Sequence, residues 1–255
     1  VQRMNAAGRD FLESLSSDQK TKACFEYLDG ERLFWYYPPM NRHGLALRDM
    51  NTSQRDLAFV LMATGLTERS YQQARKIIDL ENVLGPIEKE RGVTSFKRDP
   101  QLYYFTIFGN PGGADPWAWR AEGHHVSLHF SVWKNEVISM TPFFFGANPA
   151  EVRSGPSEGL RILSDREDIA FDLLNSLDSG QKSKAIIYGE APYDILTYNS
   201  TKVSLPKEEG LSIGKMNDTQ KTIISRLISE YINQVPDELA NKKKNELKEY
   251  GLDNV

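Results

Sequence analysis

The chain has 255 residues, 40% of them apolar and 26% charged, with a formal net charge of −4. That is ordinary globular composition, long enough to bury a core, and the acidic balance argues against nucleic acid, which needs concentrated Lys and Arg. One cysteine, Cys24, leaves no intrachain disulfide framework or cysteine-rich zinc site, and no apolar run approaches the ~20 residues of a membrane span.

Val1 opens the chain in place of Met, which fits either a cytoplasmic protein or one exported after leader removal. From there the sequence begins a pattern that it later repeats. "FLESLSSDQKTKA" at 11–23 returns as "LLNSLDSGQKSKA" at 173–185, and "GLALRDMNTSQR" at 44–55 returns as "GLSIGKMNDTQK" at 210–221. Same order and near-equal spacing point to a duplicated helical unit. Each copy carries two helix starts of the capping-box type: Ser16 with Gln19, Asn51 with Gln54, Asp178 with Gln181, Asn217 with Gln220. Apolar residues then recur at helical spacing in "QRDLAFVLMATGL" and "QKTIISRLISEYI". The S-x-x-K pairs Ser17/Lys20 and Ser179/Lys182 fall inside these caps and read as helix initiation rather than as serine nucleophiles. Two of the three N-x-S/T sequons, at Asn51 and Asn217, are the same caps.

Between the helix starts of the first copy, "KTKACFEYL" reads as helix, with Cys24 a small buried hydrophobe. "RLFWYYPPMNRHGL" is extended because Pro38 and Pro39 block helix, and His43 reads as a solvated loop residue. Residues 100–147 change character. "LYYFTIFG", "WAWRAEGHHVSLHFSVW" and "EVISMTPFFFGA" are aromatic and β-branched, separated by "GNPGGADP" and by the tight turn "WKNE". "GNPGG" lacks the G-K-[ST] ending of a phosphate loop. The expected fold is one α+β domain over 1–255: helical repeat one at about 8–90, an antiparallel β-meander of about three strands at about 100–147, and helical repeat two at about 158–255. Residues past about 237 read as an exposed helix.

Three of the four histidines fall within 124–129, beside Arg120 and Glu122. Read as one continuous strand, this segment puts Arg120, Glu122 and His124 on one face with Val126, Leu128 and Phe130. Trp119, His125 and His129 then share the other. Glu122 and His124 could chelate one ion, and a bulge at Gly123 could bring His125 round as a third ligand. His125 and His129 are roughly 13 Å apart along a strand, near the limit for sharing a metal. The structural alternative is an Arg120–Glu122 ion pair with His124 hydrogen-bonded beside it.

"ERLFWYYPP", "YYFTIFGNP", "WAWRAEGHHVSLHF" and "TPFFFGANPAEV" together resemble the bacterial proteins of the domain of unknown function 3500 family, from about residue 10 to the end. The resemblance implies weight on Arg32, Trp35, Trp119, Arg120, Glu122, Gly123, His124, His125 and Asn148. At the position of His129 the family usually has asparagine, which lowers His129 as an obligatory ligand. Family members continue past "YGLDNV" into a further strand pair, which would complete the second repeat. No activity comes with it.

Two functions follow as expectations. The first is an enzyme with Glu122, His124, His125 and Arg120 as catalytic groups. Glu122, His124 and His125 would hold a divalent metal (Zn, Mn or Fe) or act as acid and base, and metal-assisted hydrolysis is favoured over metal-dependent oxidation. Arg120 or Arg32 would neutralise substrate charge. No organic cofactor motif is present. The second is a non-catalytic module for a carbohydrate-like or other small polar ligand, with Arg32, Trp35, Trp119, His129 and Asn148 as contacts, although aromatics in strands are most often core. Oligomeric state is not readable.

Overall fold

The computed structural model describes residues 1–93, 95–202, 204, 205, 207 and 209–254. They form two compact units, Val1–Ile162 and Leu163–Val255.

The first unit opens with α1 (Gln2–Ser14) and α2 (Ser17–Ala23), then β1 (Cys24–Phe25), β2 (Leu45–Ala46), α3 (Thr52–Thr64), α4 (Glu68–Asp79) and α5 (Glu81–Glu90). The sheet continues with β3 (Tyr104–Phe108), β4 (Trp117–Gly123), β5 (Val126–Trp133), β6 (Glu136–Ser139) and β7 (Phe143–Phe145). The architecture is α+β: helices packed with a mixed sheet, seven-stranded among the described residues. β3, β4, β5 and β6 are successive antiparallel neighbours, β7 also pairs with β5, and β1 joins β3 in parallel. That parallel pair corrects the purely antiparallel expectation. It also moves Cys24 out of the helix, which ends at Ala23, and into a half-buried position at the start of β1.

The second unit has α6 (Ser164–Ser176), α7 (Ser179–Ala185), α8 (Asp218–Ile232) and α9 (Asp237–Tyr250). All four expected capping boxes are present, at Ser16, Asn51, Asp178 and Asn217. The capping glutamines of each unit also bond to one another. Gln54 Nε2 donates to Gln19 Oε1 at 2.8 Å and to the Ser14 carbonyl at 2.8 Å. Gln220 Nε2 donates to Gln181 Oε1 at 2.8 Å and to the Ser176 carbonyl at 2.8 Å. A glutamine that caps its own helix thus also ties that helix to the end of another.

The decisive departure lies in "GHHV". The long strand expected over 119–133 is two strands, because Gly123 pairs with Val126 and His124–His125 form a two-residue hairpin turn. His125 takes φ +60, a left-handed conformation that histidine enters more readily than most residues. A two-residue turn keeps paired residues on one face, so the alternation changes phase across it. Tyr104, Thr106, Arg120, Glu122, Ser127, His129 and Ser131 therefore share one face. Phe105, Ile107, Trp117, Trp119, Ala121, Val126, Leu128 and Phe130 share the other.

The apolar face packs on helices: the Phe105 ring lies 6.1 Å from Phe11 and 6.0 Å from Phe59. Gly65, at the end of α3, permits this approach, since a Cβ there would stand 2.8 Å from the rings of Trp119 and Phe130. The polar face is covered instead by segment 26–44, which has a 3-10 turn at Gly30–Leu33 and brings its own polar groups to the sheet.

Candidate functional site

Two sets of polar groups meet around this hairpin. The first is buried under segment 26–44. Arg120, 2% exposed, donates from Nη2 to Glu31 Oε1 at 2.7 Å and from Nη1 to the Phe34 carbonyl at 3.0 Å. Glu122, 1% exposed, accepts from Arg42 Nε at 3.0 Å, Ser127 Oγ at 2.7 Å and the Tyr36 amide at 3.1 Å, with His129 Nε2 at 3.4 Å. The rest of the Arg42 guanidinium donates to the carbonyls of Tyr36, Pro38, Met40 and Gly123. Burial opposes ionisation of Glu122, but His129, Arg120 and Arg42 outweigh it and hold the carboxyl below its ordinary value. Burial also lowers His129, against the pull of Glu122. These groups clamp the segment onto the sheet, and their hydrogen-bonding capacity is largely committed.

The second set lies at the hairpin tip. His124 Nδ1 pairs with Glu81 Oε1, brought in by the first turn of α5. Both residues are buried, at 8% and 4% exposure. Tyr103 donates its phenol hydrogen to the His124 carbonyl at 2.7 Å, and burial, then the nearby Glu81 charge, raises that phenol well above its ordinary value. The Arg98 guanidinium lies 3.3 and 3.4 Å from the two ring nitrogens of His124, while Glu88 grips it twice at 2.7 Å. That grip holds the Glu88 carboxyl below its ordinary value. The His125 ring stacks on His124 at 4.0 Å, and burial, then the adjacent His124 and Arg98, lowers it to about 3.

A pocket of about 210 Å³ opens beside this second set, walled by Pro39, Arg42, Glu81, Phe96, Tyr103 and His124 among others. An imidazole whose Nδ1 is held by a buried carboxylate has its tautomer and orientation set, so that Nε2, with Arg98 Nη1 at 3.4 Å, is the nitrogen that can exchange a proton. A larger groove of about 730 Å³ in the second unit, between α6 and α8, contains no histidine.

The chain belongs to the DUF3500 family.

Its description reads "Protein of unknown function (DUF3500)", and the match covers residues 1–255. No curated protein and no solved structure matches the chain.

The residues singled out in this DUF3500 chain therefore separate. His124 and His125 adjoin at the tip, but Glu122 points into the clamp with Arg42 and His129, so the expected trio of Glu122, His124 and His125 is not assembled. The reason is the turn at 124–125, which interrupts the continuous strand expected there. Among the described residues no group of three or more His, Cys, Asp or Glu is arranged to hold a metal, and Glu81 with His124 is the carboxylate–imidazole pair on the pocket wall. Arg120 does not pair with Glu122 but with Glu31.

Of the expected ligand contacts, Trp119 lies in the apolar core stacked on Phe130 at 4.7 Å, and Trp35 is buried against Tyr37 and Phe144. Arg32 donates to the Tyr27 carbonyl at 2.7 Å and lies over that ring. Asn148 is exposed, before a cis peptide bond to Pro149. His129 joins the buried clamp. His43 is exposed as expected, and its ring meets Glu31 at 2.8 Å.

Sequence reasoning missed Glu81, Arg98, Tyr103 and Arg42. Arg42 stands beside His43 in "NRHG", a loop stretch with no local mark of chemistry. Glu81 sits 43 residues before His124, in a helix start that carries no local mark of chemistry.

Proposed function

We propose that the chain is an enzyme whose reactive group is the His124 imidazole, oriented by Glu81 and working as general acid and base on a small substrate in the adjoining pocket. Hydrolysis is the reaction class. His124 would take a proton from an attacking water and return it to the leaving group, and Glu81 would stabilise the imidazolium between those steps. The observation that supports this reading is a buried carboxylate–imidazole pair on the wall of a pocket in a fold whose other histidines are elsewhere engaged or stacked.

The metal-assisted form of the reaction rests on the same pair. Glu81 and His124 would supply two ligands to Zn, Mn or Fe, and the ion would activate the water. Elemental analysis of untagged protein beside a Glu81→Gln/His124→Asn variant decides between the two forms. The proposal as a whole is tested on a panel of nitrophenyl esters and glycosides. Hydrolysis by the parent that disappears in both Glu81→Gln and His124→Asn is expected; full activity in His124→Asn overturns it. The non-catalytic alternative, binding of a small polar ligand, uses the same pocket and expects binding without turnover.

We also infer that the helical units of 8–90 and 158–255 arose by duplication. The matched caps and glutamine pairs support it, since identical tertiary hydrogen bonds at equivalent positions are a poor product of chance.

A further inference from the structure

We propose that the pocket beside Glu81 and His124 takes a small neutral ligand bearing ring hydroxyls, and discriminates against carboxylates and phosphates. This deepens the enzyme reading and rests on the same pair.

Size comes first. At about 210 Å³ the pocket is smaller than the ~300–1,000 Å³ typical of drug-sized ligand sites, so one six-membered ring with its substituents is the scale that fits.

Charge comes second. Both cationic side chains on the wall, Arg42 and Lys97, already face a carboxylate, and Asp99 faces two cations. Arg42 holds Glu122 at 3.0 Å, His124 holds Glu81, and Asp99 faces Lys97 at 3.6 Å and Arg48 at 3.0 Å. An anion entering here finds no unpaired cation. It would have to break one of these pairs or bring its own charge against Glu81 and Asp99.

Hydrogen-bonding sense comes third. His124 engages Glu81 through Oε1, which leaves Oε2 to accept, and a carboxylate cannot donate. The Tyr103 hydroxyl has given its hydrogen to the His124 carbonyl, so it too is left as an acceptor. This part of the wall therefore asks for O–H or N–H donors. Around it stand Pro39, Met40, Leu102 and the half-exposed Phe96 ring, surfaces that suit the apolar faces of a ring. A hydroxylated ring satisfies both demands, whether it is a phenol or a single sugar.

The test is ligand-observed NMR on the full chain with catechol and glucose as hydroxylated probes and benzoate and inorganic phosphate as anionic ones. We expect catechol or glucose to bind, with affinity about tenfold weaker in Glu81→Gln, the loss of one hydrogen bond to a charged group. The exposed Phe96→Ala variant, which leaves the buried pair alone, should weaken the same probe. Tighter binding of benzoate or phosphate overturns the proposal, as does the failure of both hydroxylated probes at millimolar concentration. The two readings fail separately. Hydroxyl-probe binding in a His124→Asn chain that still hydrolyses like the parent sinks the catalytic reading and keeps the ligand class. Hydrolysis that needs His124 but acts on anionic substrates alone does the reverse.

Discussion

Replacing Gly123 by alanine should cost far more than a methyl group on a strand normally does. The backbone at Gly123 is not left-handed; the demand is steric. A Cβ there would lie 2.5 Å from Cε1 and 2.6 Å from Cγ of Tyr103, inside the ring's contact distance along one whole edge. Tyr103 cannot swing away freely, since it is 2% exposed and its hydroxyl holds the His124 carbonyl. Overpacking of this kind costs about 1–3 kcal/mol, and loss of the Tyr103 hydrogen bond adds about 1 kcal/mol, giving about 2–4 kcal/mol in total. For a unit of this size each 1 kcal/mol shifts the midpoint by about 2–4 °C, so the melting temperature should fall by roughly 4–16 °C. The four tryptophans, Trp35, Trp117, Trp119 and Trp133, all lie in the first unit, so their fluorescence during denaturation reports on it. In a Tyr103→Ala background the ring is gone, and the added methyl should cost less than about 0.5 kcal/mol. A cost below about 0.5 kcal/mol in the parent, or the same cost in both backgrounds, would refute the steric argument.

Glu122→Ala leaves Arg42 buried without its carboxylate and removes the acceptor from Ser127 and Tyr36, so denaturant unfolding should show a loss of about 3–5 kcal/mol. Gln54→Ala strips the Asn51 amide and the Ser14 carbonyl of their partners and should cost about 1–3 kcal/mol, visible as a lowered denaturation midpoint. Stability should also fall with acid in a defined window. His125 is depressed from 6.5 to about 3 on folding, so below pH 6.5 the unfolded chain takes up a proton that the native chain refuses. That contribution is complete above pH 6.5 and drains away as the pH falls toward 3. A His125→Asn variant followed by denaturant titration across that range should show a flatter acid limb than the parent.

Local physics made part of this legible in advance. A capping box is closed by residues three apart, so Ser16, Asn51, Asp178 and Asn217 announced their helices from short stretches of sequence. The aromatic and β-branched run at 100–147 likewise announced a sheet. The concentration of Arg120, Glu122 and three histidines marked where polar groups gather, and Arg120, Glu122, His124 and His129 are buried. The turn inside that run was not legible, because His-His carries none of the glycine or asparagine marks of a two-residue hairpin. Beside it Gly123 leaves room for the Tyr103 ring, a contact between residues 20 positions apart that no local pattern announces.

Once that turn is in place every alternation beyond it changes phase, and this alone moves His129 onto the face of Glu122 and sends His124 to the tip. The chain by itself determined where helices begin, which segment forms the sheet and which side chains were worth watching. The tertiary structure decided their partners: Arg42 for Glu122, Glu31 for Arg120 and Glu81 for His124. The physical reason is range. Caps and strand propensity are settled within a few residues, whereas a buried charge is satisfied by whichever opposite group the fold carries to it, and each of these partners arrives from 43 or more positions away.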